Sequence, residues 1–282
     1  MNWQDYFSSA QKSQQPSLED GVQNIPLETG WLQVPKADLT ERELFLLDLL
    51  SQNLPSENQA SDPWLNFLMG KDSQIPESYQ SYQFLYLEHS QAFTEDLLNL
   101  LDQLLLGRVA TLSLGQHRTA LLLTQEQDND VTSLLQELLV TIESDFGLSL
   151  SLFLGNSWTR LDSASLRQLF QAENALFSDY LQGHSSEKMQ SFAKILLWAL
   201  SNGLEVGVFK ETLNYYLTLQ NDVPDIVVAL WESHGNQVQA AQKLYLHRNS
   251  LQYKLDKFQT LSGLNLKKLD DLALCYWLLL EN

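Results

Sequence analysis

The chain has 282 residues, with 17 Lys or Arg against 35 Asp or Glu, so its formal net charge is −18. A hydrophobic fraction of 44% excludes a wholly disordered chain, because that much apolar surface can form a sizeable core. The acidity argues against a protein that coats nucleic acid or anionic membranes through bulk charge. The 60 leucines form no L-x-x-L-x-L-x-x-N repeat, which excludes a leucine-rich-repeat solenoid.

Residues 1–80 are predicted to be a region of uncertain, partly helical fold. Several Pro and Gly residues in its N-terminal half predict loops and short edge strands, such as residues 30–34. Thr40 and Glu43 have the spacing of a capping box. The helix that they open is predicted to end before Pro55 and to carry Leu44, Leu47 and Leu50. This region indicates no chemistry that can be named.

Residues 81–183 are predicted to form an α+β domain. Short apolar or alternating runs predict four strands, at 84–87, 109–114, 119–124 and 148–154. Apolar stripes at helical spacing predict three helices, at 93–106, 131–146 and 165–181. The order strand, helix, strand, strand, helix, strand is that of the ferredoxin-like split βαβ fold.

The sequence Gly-His-Ser-Ser at 183–186 predicts a hinge, and no strand is expected after it. Six helices are predicted there, at 188–200, 208–219, 225–234, 238–244, 248–261 and 269–280. The predicted fold class is therefore α+β and multidomain, with an all-α domain over residues 186–282. Residues 224–282 hold six basic and six acidic residues, so the whole negative excess lies upstream.

The most specific signal is a predicted helix-turn-helix over residues 235–255. Asn236 is expected to cap a short first helix. The inner face of that helix is predicted to consist of Val238, Ala241 and Leu244. The small residues Ala240 and Ala241 would let two crossing helices approach closely, and residues 245–247 would form the turn.

The second helix of this motif is predicted to begin at Arg248 or Asn249. Its buried face follows an i, i+4, i+7 spacing and consists of Leu251, Leu255 and Phe258. The opposite face carries polar and aromatic side chains, namely Asn249, Tyr253 and Asp256 flanked by Ser250, Gln252 and Lys257. A second helix with such an outer face is typical of a DNA-recognition helix.

The residues 240–255 follow the pattern A-A-x-x-L-x-x-H-R-N-[ST]-L-x-Y-[RK]-L, and L-S-G-L and a leucine-rich helix come after them. This pattern resembles the C-terminal helix-turn-helix of PucR/CdaR-type transcriptional regulators, and the resemblance extends over residues 208–282. It implies binding to double-stranded DNA, control of metabolic genes, and an unknown small-molecule effector. A homodimer is expected, because two recognition helices on a palindromic site give useful specificity. Members of this family commonly carry a degenerate GGDEF-like domain before the helix-turn-helix, which residues 81–183 would match.

Individual DNA contacts follow from the position of each residue on the second helix. Base edges are expected to be read at its N-terminal end, by Asn249 and Ser250 with Gln252 or Tyr253. Phosphates are expected to be bound by basic side chains, namely Lys243, Arg248, Lys254 and Lys257. Residues 243–257 contain four basic residues and one acidic residue, a local charge of +3. His247 is expected to bridge the turn, and Asp256 to lie beyond the groove.

No catalytic, metal or cofactor site is predicted. A GGDEF-type cyclase needs glycines and carboxylates at a hairpin where this chain has Gly115-Gln-His-Arg118, and Glu88 is a lone carboxylate nearby. The five histidines lack metal-ligand spacing, and P-loop and dinucleotide motifs are absent from the sequence. The alternative to a regulator is an interaction or nucleotide-sensing protein with a vestigial helix-turn-helix. An enzyme ranks third.

The expected location is the cytoplasm, without a membrane partner. The N-terminal sequence lacks the features of a signal peptide, and the longest apolar run, 272–280, is too short to span a bilayer. Cys275, the single cysteine, lies within that run and is expected to be buried as a small hydrophobic residue.

Overall fold

The structure is a computed structural model that describes residues 10–13, 21–26, 31–40, 42–44, 46, 62–91, 93–105, 107–115, 117–124, 131–184 and 188–281. The chain divides into two compact units, Met1–Asn58 and Gln59–Asn282. Among the helices in the ranges just given, none is long and apolar enough to cross a membrane.

The described part of the first unit consists of a small antiparallel sheet, a 3-10 helix (Lys36–Asp38) and the helical residues that follow Thr40. The strands of the sheet are β1 (Gln11–Ser13), β2 (Val22–Pro26) and β3 (Trp31–Pro35). The strand predicted at 30–34 is β3, but it is central in the sheet because β1 and β2 pair with its two edges. The prediction of an edge strand is therefore wrong. A small apolar cluster lies here, formed by Ala10, Leu32, Val34 and Leu39.

The predicted capping box at Thr40 is confirmed. The Thr40 N–H donates to Glu43 Oε2 at 2.8 Å, and the Glu43 N–H donates to Thr40 Oγ1 at 3.3 Å. The side-chain and backbone hydrogen bonds from Thr40 lower the pKa of Glu43. The later part of this predicted helix, with Leu47, Leu50 and Pro55, lies outside the described residues.

The second unit begins with the helix and strand pattern of the predicted α+β domain. In chain order its elements are α1 (Pro63–Leu68), β4 (Ser81–His89), α2 (Glu95–Leu104), β5 (Arg108–Ser113), β6 (Arg118–Leu123), α3 (Val131–Phe146), β7 (Leu150–Thr159) and α4 (Ser163–His184). The strands lie in the spatial order β5-β6-β4-β7, and each neighbouring pair is antiparallel. This is the split βαβ order, so the α+β fold class is confirmed.

A short strand, β8 (Met189–Ser191), extends this sheet by pairing in parallel with β7. The prediction that no strand follows residue 183 is wrong at this point. Three residues are too few to show a period-2 pattern, and their extended backbone is stabilised by the exposed edge of β7, where the Leu152 N–H donates to Lys188 O at 2.7 Å. The predicted hinge is also wrong at Gly183 and His184, which belong to α4; residues 185 and 186 lie outside the described part.

The remaining elements are helical and lie close to their predicted positions. They are α5 (Phe192–Ser201), α6 (Gly207–Thr218), α7 (Val223–Glu232), α8 (Gln237–Lys243), α9 (Arg248–Ser262) and α10 (Leu269–Glu281). The helix predicted from residue 188 begins at Phe192, because β8 occupies the residues before it. Cys275 on α10 is buried with a free thiol, as expected.

The sheet separates two hydrophobic clusters. Successive residues of β4 point to opposite faces, so Phe84 and Tyr86 join one cluster while Leu85 and Leu87 join the other. The Leu85 cluster lies under α2 and α3. The Phe84 cluster continues through α4 into the six C-terminal helices and reaches Leu255 of α9. The ranges 81–183 and 186–282 thus contribute to one core, and their division into two domains remains a prediction.

Candidate nucleic-acid interface

The first helix of the predicted helix-turn-helix is α8. Asn236 caps it as predicted, since its Oδ1 accepts from the N–H groups of Val238 at 3.0 Å and Gln239 at 3.2 Å. Ala240 and Ala241 are buried, which allows close packing against α7 and α9. The placement of Val238 on the inner face is wrong, because its side chain is 49% exposed. At about 100° per residue, Val238 lies more than a quarter turn from the centre of the buried face.

The turn between α8 and α9 places two exposed side chains at the start of α9. Tyr245 has a φ of 55°, in the left-handed region, and its side chain is 98% exposed. His247 is the N-cap of α9, and its Nδ1 accepts from the Asn249 N–H at 3.2 Å. The bridging role expected of His247 is therefore that of a helix cap, and α9 begins at Arg248.

The two faces of α9 are arranged as the helical spacing predicted. Leu251, Leu255 and Phe258 are buried in the large cluster. Six of the candidate contact residues are exposed, namely Lys243, Arg248, Asn249, Ser250, Tyr253 and Lys257. The other two, Gln252 and Lys254, are half-buried. The first turn of α9 thus presents a continuous polar surface to solvent.

The basic residues near this surface fall into two groups. Lys243 forms an ion pair with Glu232 at 3.0 Å, and Lys254 forms one with Asp222. The hydrogen bond from Lys254 lowers the pKa of Asp222. Arg248 and Lys257 form no ion pair with any residue that the structure describes. Arg248 and Lys257 are therefore more readily available to an anionic partner than the two paired lysines.

Asp256 is an exposed acidic residue on the outer face of α9. Its carboxylate accepts from Gln252 Nε2 at 2.7 Å and 2.8 Å and pairs with Lys267 Nζ at 2.9 Å. The hydrogen bond from Gln252, followed by that from Lys267, lowers the pKa of Asp256. The amide of Gln252 is therefore engaged within α9 and would have to leave Asp256 before reading a base.

The C-terminal end of α9 is anchored on strand β7. Asn156 Nδ2 donates to Ser262 O at 2.7 Å, and Thr159 Oγ1 donates to Leu261 O at 2.6 Å. Gly263 follows in the left-handed region with a φ of 77°. A Cβ at this glycine would lie 2.4 Å from Asn156 Oδ1, so the close approach of helix and strand requires glycine. The sheet therefore fixes the position of α9.

Behind this anchor lies a buried carboxyl group that the sequence analysis missed. Glu173 on α4 is 0% exposed, and its Oε1 accepts from the Asn156 N–H at 2.9 Å and from Trp158 Nε1 at 2.8 Å. Its Oε2 lies 3.2 Å from Tyr86 OH. Desolvation raises the pKa of Glu173 to about 8, although the three hydrogen bonds oppose it. The available signal was a carboxylate inside the apolar stripe of α4, between Phe170 and Phe177.

The hairpin at which a cyclase would hold metal and nucleotide lies at the far end of the sheet. Arg118 Nε pairs with Glu88 Oε2 at 2.5 Å, and the same guanidinium reaches Ser178 Oγ at 2.8 Å. The carboxylate of Glu88 is thus engaged with a cation of the neighbouring strand. Gly115 and His117 are described, whereas residue 116 lies outside the described part. Across the residues that the structure describes, no group of three or more His, Cys, Asp or Glu could hold a metal ion.

Comparison with known proteins agrees with this geometry. A leucine-rich protein of Streptococcus dysgalactiae subsp. equisimilis is 37% identical to this chain over 281 residues, which is 100% of each chain. The family model of the PucR C-terminal helix-turn-helix domain matches residues 225–280, a range that contains α8, the turn and α9. The chain belongs to the PucR-type helix-turn-helix family. The helix-turn-helix domain of this family indicates a DNA-binding regulator.

Two more distant similarities accompany this PucR-type assignment. The uncharacterized protein YxkF of Bacillus subtilis (strain 168) is 23% identical over 273 residues, which cover 89% of this chain and 88% of that protein. The crystal structure of a regulator of polyketide synthase expression from Bifidobacterium adolescentis aligns at 13% identity with a TM-score of 0.35. That alignment covers 86% of this chain and 93% of the other.

Proposed function

We propose that this PucR-type protein is a transcriptional regulator that binds specific sequences in double-stranded DNA through α9. The observation that carries this proposal is the exposed first turn of the helix. There Arg248, Asn249 and Ser250 face solvent, while Leu251 holds the helix in the core. The N-terminal residues of a recognition helix are those that reach base edges in the major groove.

The proposed roles follow from exposure and from existing ion pairs. Asn249 and Ser250 would read bases, and Tyr253, which is 69% exposed one turn later, would contact a base or the backbone. Arg248 and Lys257 would bind phosphates directly. Lys243 and Lys254 would contribute only after leaving Glu232 and Asp222, and Gln252 after leaving Asp256. Because these existing bonds must be broken first, Lys243, Lys254 and Gln252 should contribute less to DNA affinity.

The rest of the regulator is proposed to set its oligomeric state and its response. A homodimer would place two copies of α9 on successive half-sites, one helical turn of DNA apart. Residues 81–183 would be a degenerate GGDEF-like domain, a reading that the split βαβ strand order supports. The signal would be a small-molecule effector, the targets metabolic genes and the location the cytoplasm. We propose no catalytic step.

The test begins with selection of bound fragments from genomic DNA of the source organism by the full-length chain. Fluorescence anisotropy then compares the enriched sequence with a duplex of arbitrary sequence at several salt concentrations. Arg248→Ala should weaken binding to both duplexes and reduce the salt slope by about 1. Asn249→Ala should weaken binding to the enriched sequence by about tenfold or more and change arbitrary binding little.

Lys188→Ala provides the matched control. Lys188 directly precedes β8, and its exposed ammonium group pairs with Glu143 of α3, away from α9. The variant should bind both duplexes as the unaltered chain does. Failure of the chain to enrich any sequence and to bind DNA at low salt would contradict the proposal. That outcome would favour the alternative, an interaction protein with a vestigial helix-turn-helix. Equal binding by the unaltered chain and the Arg248 and Asn249 variants would contradict the residue assignments.

A further inference from the structure

A cleft of about 920 Å³ opens beside the C-terminal half of α9. Its lining comes from residues 75 and 78–82, which lead into the first two residues of β4, from residues 157 and 159–163 between the end of β7 and the start of α4, and from residues 256 and 259–261 of α9. Pockets of about 300–1,000 Å³ are typical of sites for small organic molecules. The cleft therefore has room for such a ligand, and one of its walls is the recognition helix.

The charges of this cleft are unequal in their availability. Two carboxylates line it; one accepts a hydrogen bond from the backbone and the other forms an ion pair. Asp162 accepts from the Ser165 N–H at 2.7 Å as the cap of α4, and Asp256 pairs with Lys267. The cation Arg160 also lines the cleft and is exposed, and it forms no ion pair with the described residues. Both carboxylates keep their charge, and Arg160 is the charged side chain of the lining that has no ion-pair or hydrogen-bond partner among the described residues.

The backbone of Arg160 is held in an unfavourable conformation. Its φ is 54°, in the left-handed region that disfavours side chains with a Cβ. Two neighbours help to fix this conformation, because the Tyr216 hydroxyl donates to Thr159 O at 2.5 Å and Asp162 caps the next helix. Strained residues that the surrounding structure holds in place are concentrated at ligand sites. The strain places a guanidinium at the cleft where a glycine would be more stable.

The remaining walls are both apolar and polar. Ile75, Leu161 and Leu261 offer apolar surface. The hydroxyls of Tyr79 and Thr260 already donate, to Glu77 Oε2 at 2.5 Å and to Asp256 O at 3.0 Å, and would have to leave these acceptors to donate to a ligand. From these groups we propose that the cleft binds a small organic acid. Its carboxylate pairs with Arg160 in the bidentate geometry that guanidinium favours, and its apolar body lies against Leu161 and Leu261.

Such a ligand would lie directly on the anchor of the recognition helix. The hydrogen bond from Thr159 to Leu261 O forms part of the cleft wall. Occupancy would change the free energy of the anchored position of α9, and DNA binding would change the affinity for the acid by the same factor. This coupling rests on the proposed function, whereas binding of the acid does not.

The experiment is a titration of the isotope-labelled full-length chain followed by NMR, without DNA. The probes are phenylacetate and hexanoate, with phenylacetamide as the neutral analogue and inorganic phosphate as the anion without an apolar body. Saturable shifts of the signals of Arg160, Leu161 and Thr260 are expected with the two carboxylates. Affinity for the amide and for phosphate should be at least about tenfold lower.

Two variants separate ligand binding from folding. Arg160→Gly should raise the midpoint of thermal unfolding by removing the strain, and it should lower carboxylate affinity at least about tenfold. His234→Gly is the matched control. His234 has a φ of 52° and lies after α7, outside the cleft lining, so the variant should remove similar strain and leave carboxylate binding unchanged.

The proposal is overturned if neither carboxylate shifts cleft signals, or if Arg160→Gly binds them as the unaltered chain does. Stronger binding of phosphate than of both carboxylates would also overturn it. A chain that binds the acids but no DNA would retain the cleft proposal and reject the proposed function. A chain that binds DNA but neither acid would reject the cleft proposal and retain the proposed function.

Discussion

Replacing Glu173 by glutamine tests how the buried carboxyl group affects stability. The substitution keeps an oxygen that can accept from the Asn156 N–H and from Trp158 Nε1. The new amide nitrogen can donate to Tyr86 OH, which now lies 3.2 Å from Oε2. Glutamine has nearly the same size and carries no titratable proton. The variant therefore removes the ionisation of residue 173 while keeping most of its hydrogen bonds.

The pKa of Glu173 sets the expected magnitude. Burial raises it from 4.5 to about 8, so between these values the folded state binds a proton that the unfolded state has released. The free energy of unfolding consequently falls as the pH rises through this range, by about 1.4 kcal/mol for each pH unit. From about pH 5 to about pH 7.5 the Glu173 contribution decreases by about 3 kcal/mol. Above pH 8 the carboxylate is charged in both states, and the decrease is complete.

The assay compares urea denaturation of the unaltered chain and of Glu173→Gln over this pH range. The difference between the two proteins cancels the contributions of other groups, including Asp271, whose burial raises its pKa to about 6. At pH 5 the two stabilities should agree within about 1 kcal/mol, and at pH 7.5 the variant should be the more stable. Parallel curves, with a constant difference across the range, would refute the reasoning that Glu173 is protonated at neutral pH.

Three further substitutions test the construction of the helix-turn-helix. Gly263→Ala should lower the free energy of unfolding by about 3 kcal/mol in urea denaturation, because its Cβ would lie 2.5 Å from Ser157 O. The control Gly203→Ala has open space around its Cβ at a φ of 69°, so it should lower the free energy of unfolding by only about 1 kcal/mol. His247→Ala should lower the free energy of unfolding by about 1 kcal/mol and speed amide exchange in the first turn of α9. His247→Ser should keep the helix cap, so equal exchange rates in the two variants would exclude a capping role. Leu251→Ala should cost about 3 kcal/mol and lower the thermal midpoint, and a loss below 1 kcal/mol would contradict its burial.

The elements of the fold could largely be predicted, because each depends on local spacing. The apolar stripes of α3 and α9 and the alternating pattern of β7 indicate which side chains face the core. Asn236 was identified from its position before α8, because capping acts over two or three residues. The outer face of α9, and with it the candidate DNA surface, followed from the same periodicity.

Errors arose where a partner distant in sequence determines the structure. β8 exists because the edge of β7 offers hydrogen bonds to a three-residue segment without a pattern of its own. Val238 is apolar but exposed. Because α8 is so short, the spacing of its apolar residues does not identify a single buried face. The ion pair of Lys254 with Asp222 joins α9 to the residue that precedes α7. Local sequence contains no information about such contacts.

The sequence by itself determined the α+β class, the helix-turn-helix and the residues on its outer face, since periodicity and capping are properties of neighbouring residues. Only the tertiary structure decided how α9 is held and what lies beside it. Asn156 and Thr159 of β7 meet the end of α9 and Gly263 there, which follow more than a hundred residues later in sequence. The raised pKa of Glu173, and the lack of an ion-pair partner for Arg160 among the described residues, arise in the same way, because burial and pairing depend on which distant groups surround a side chain.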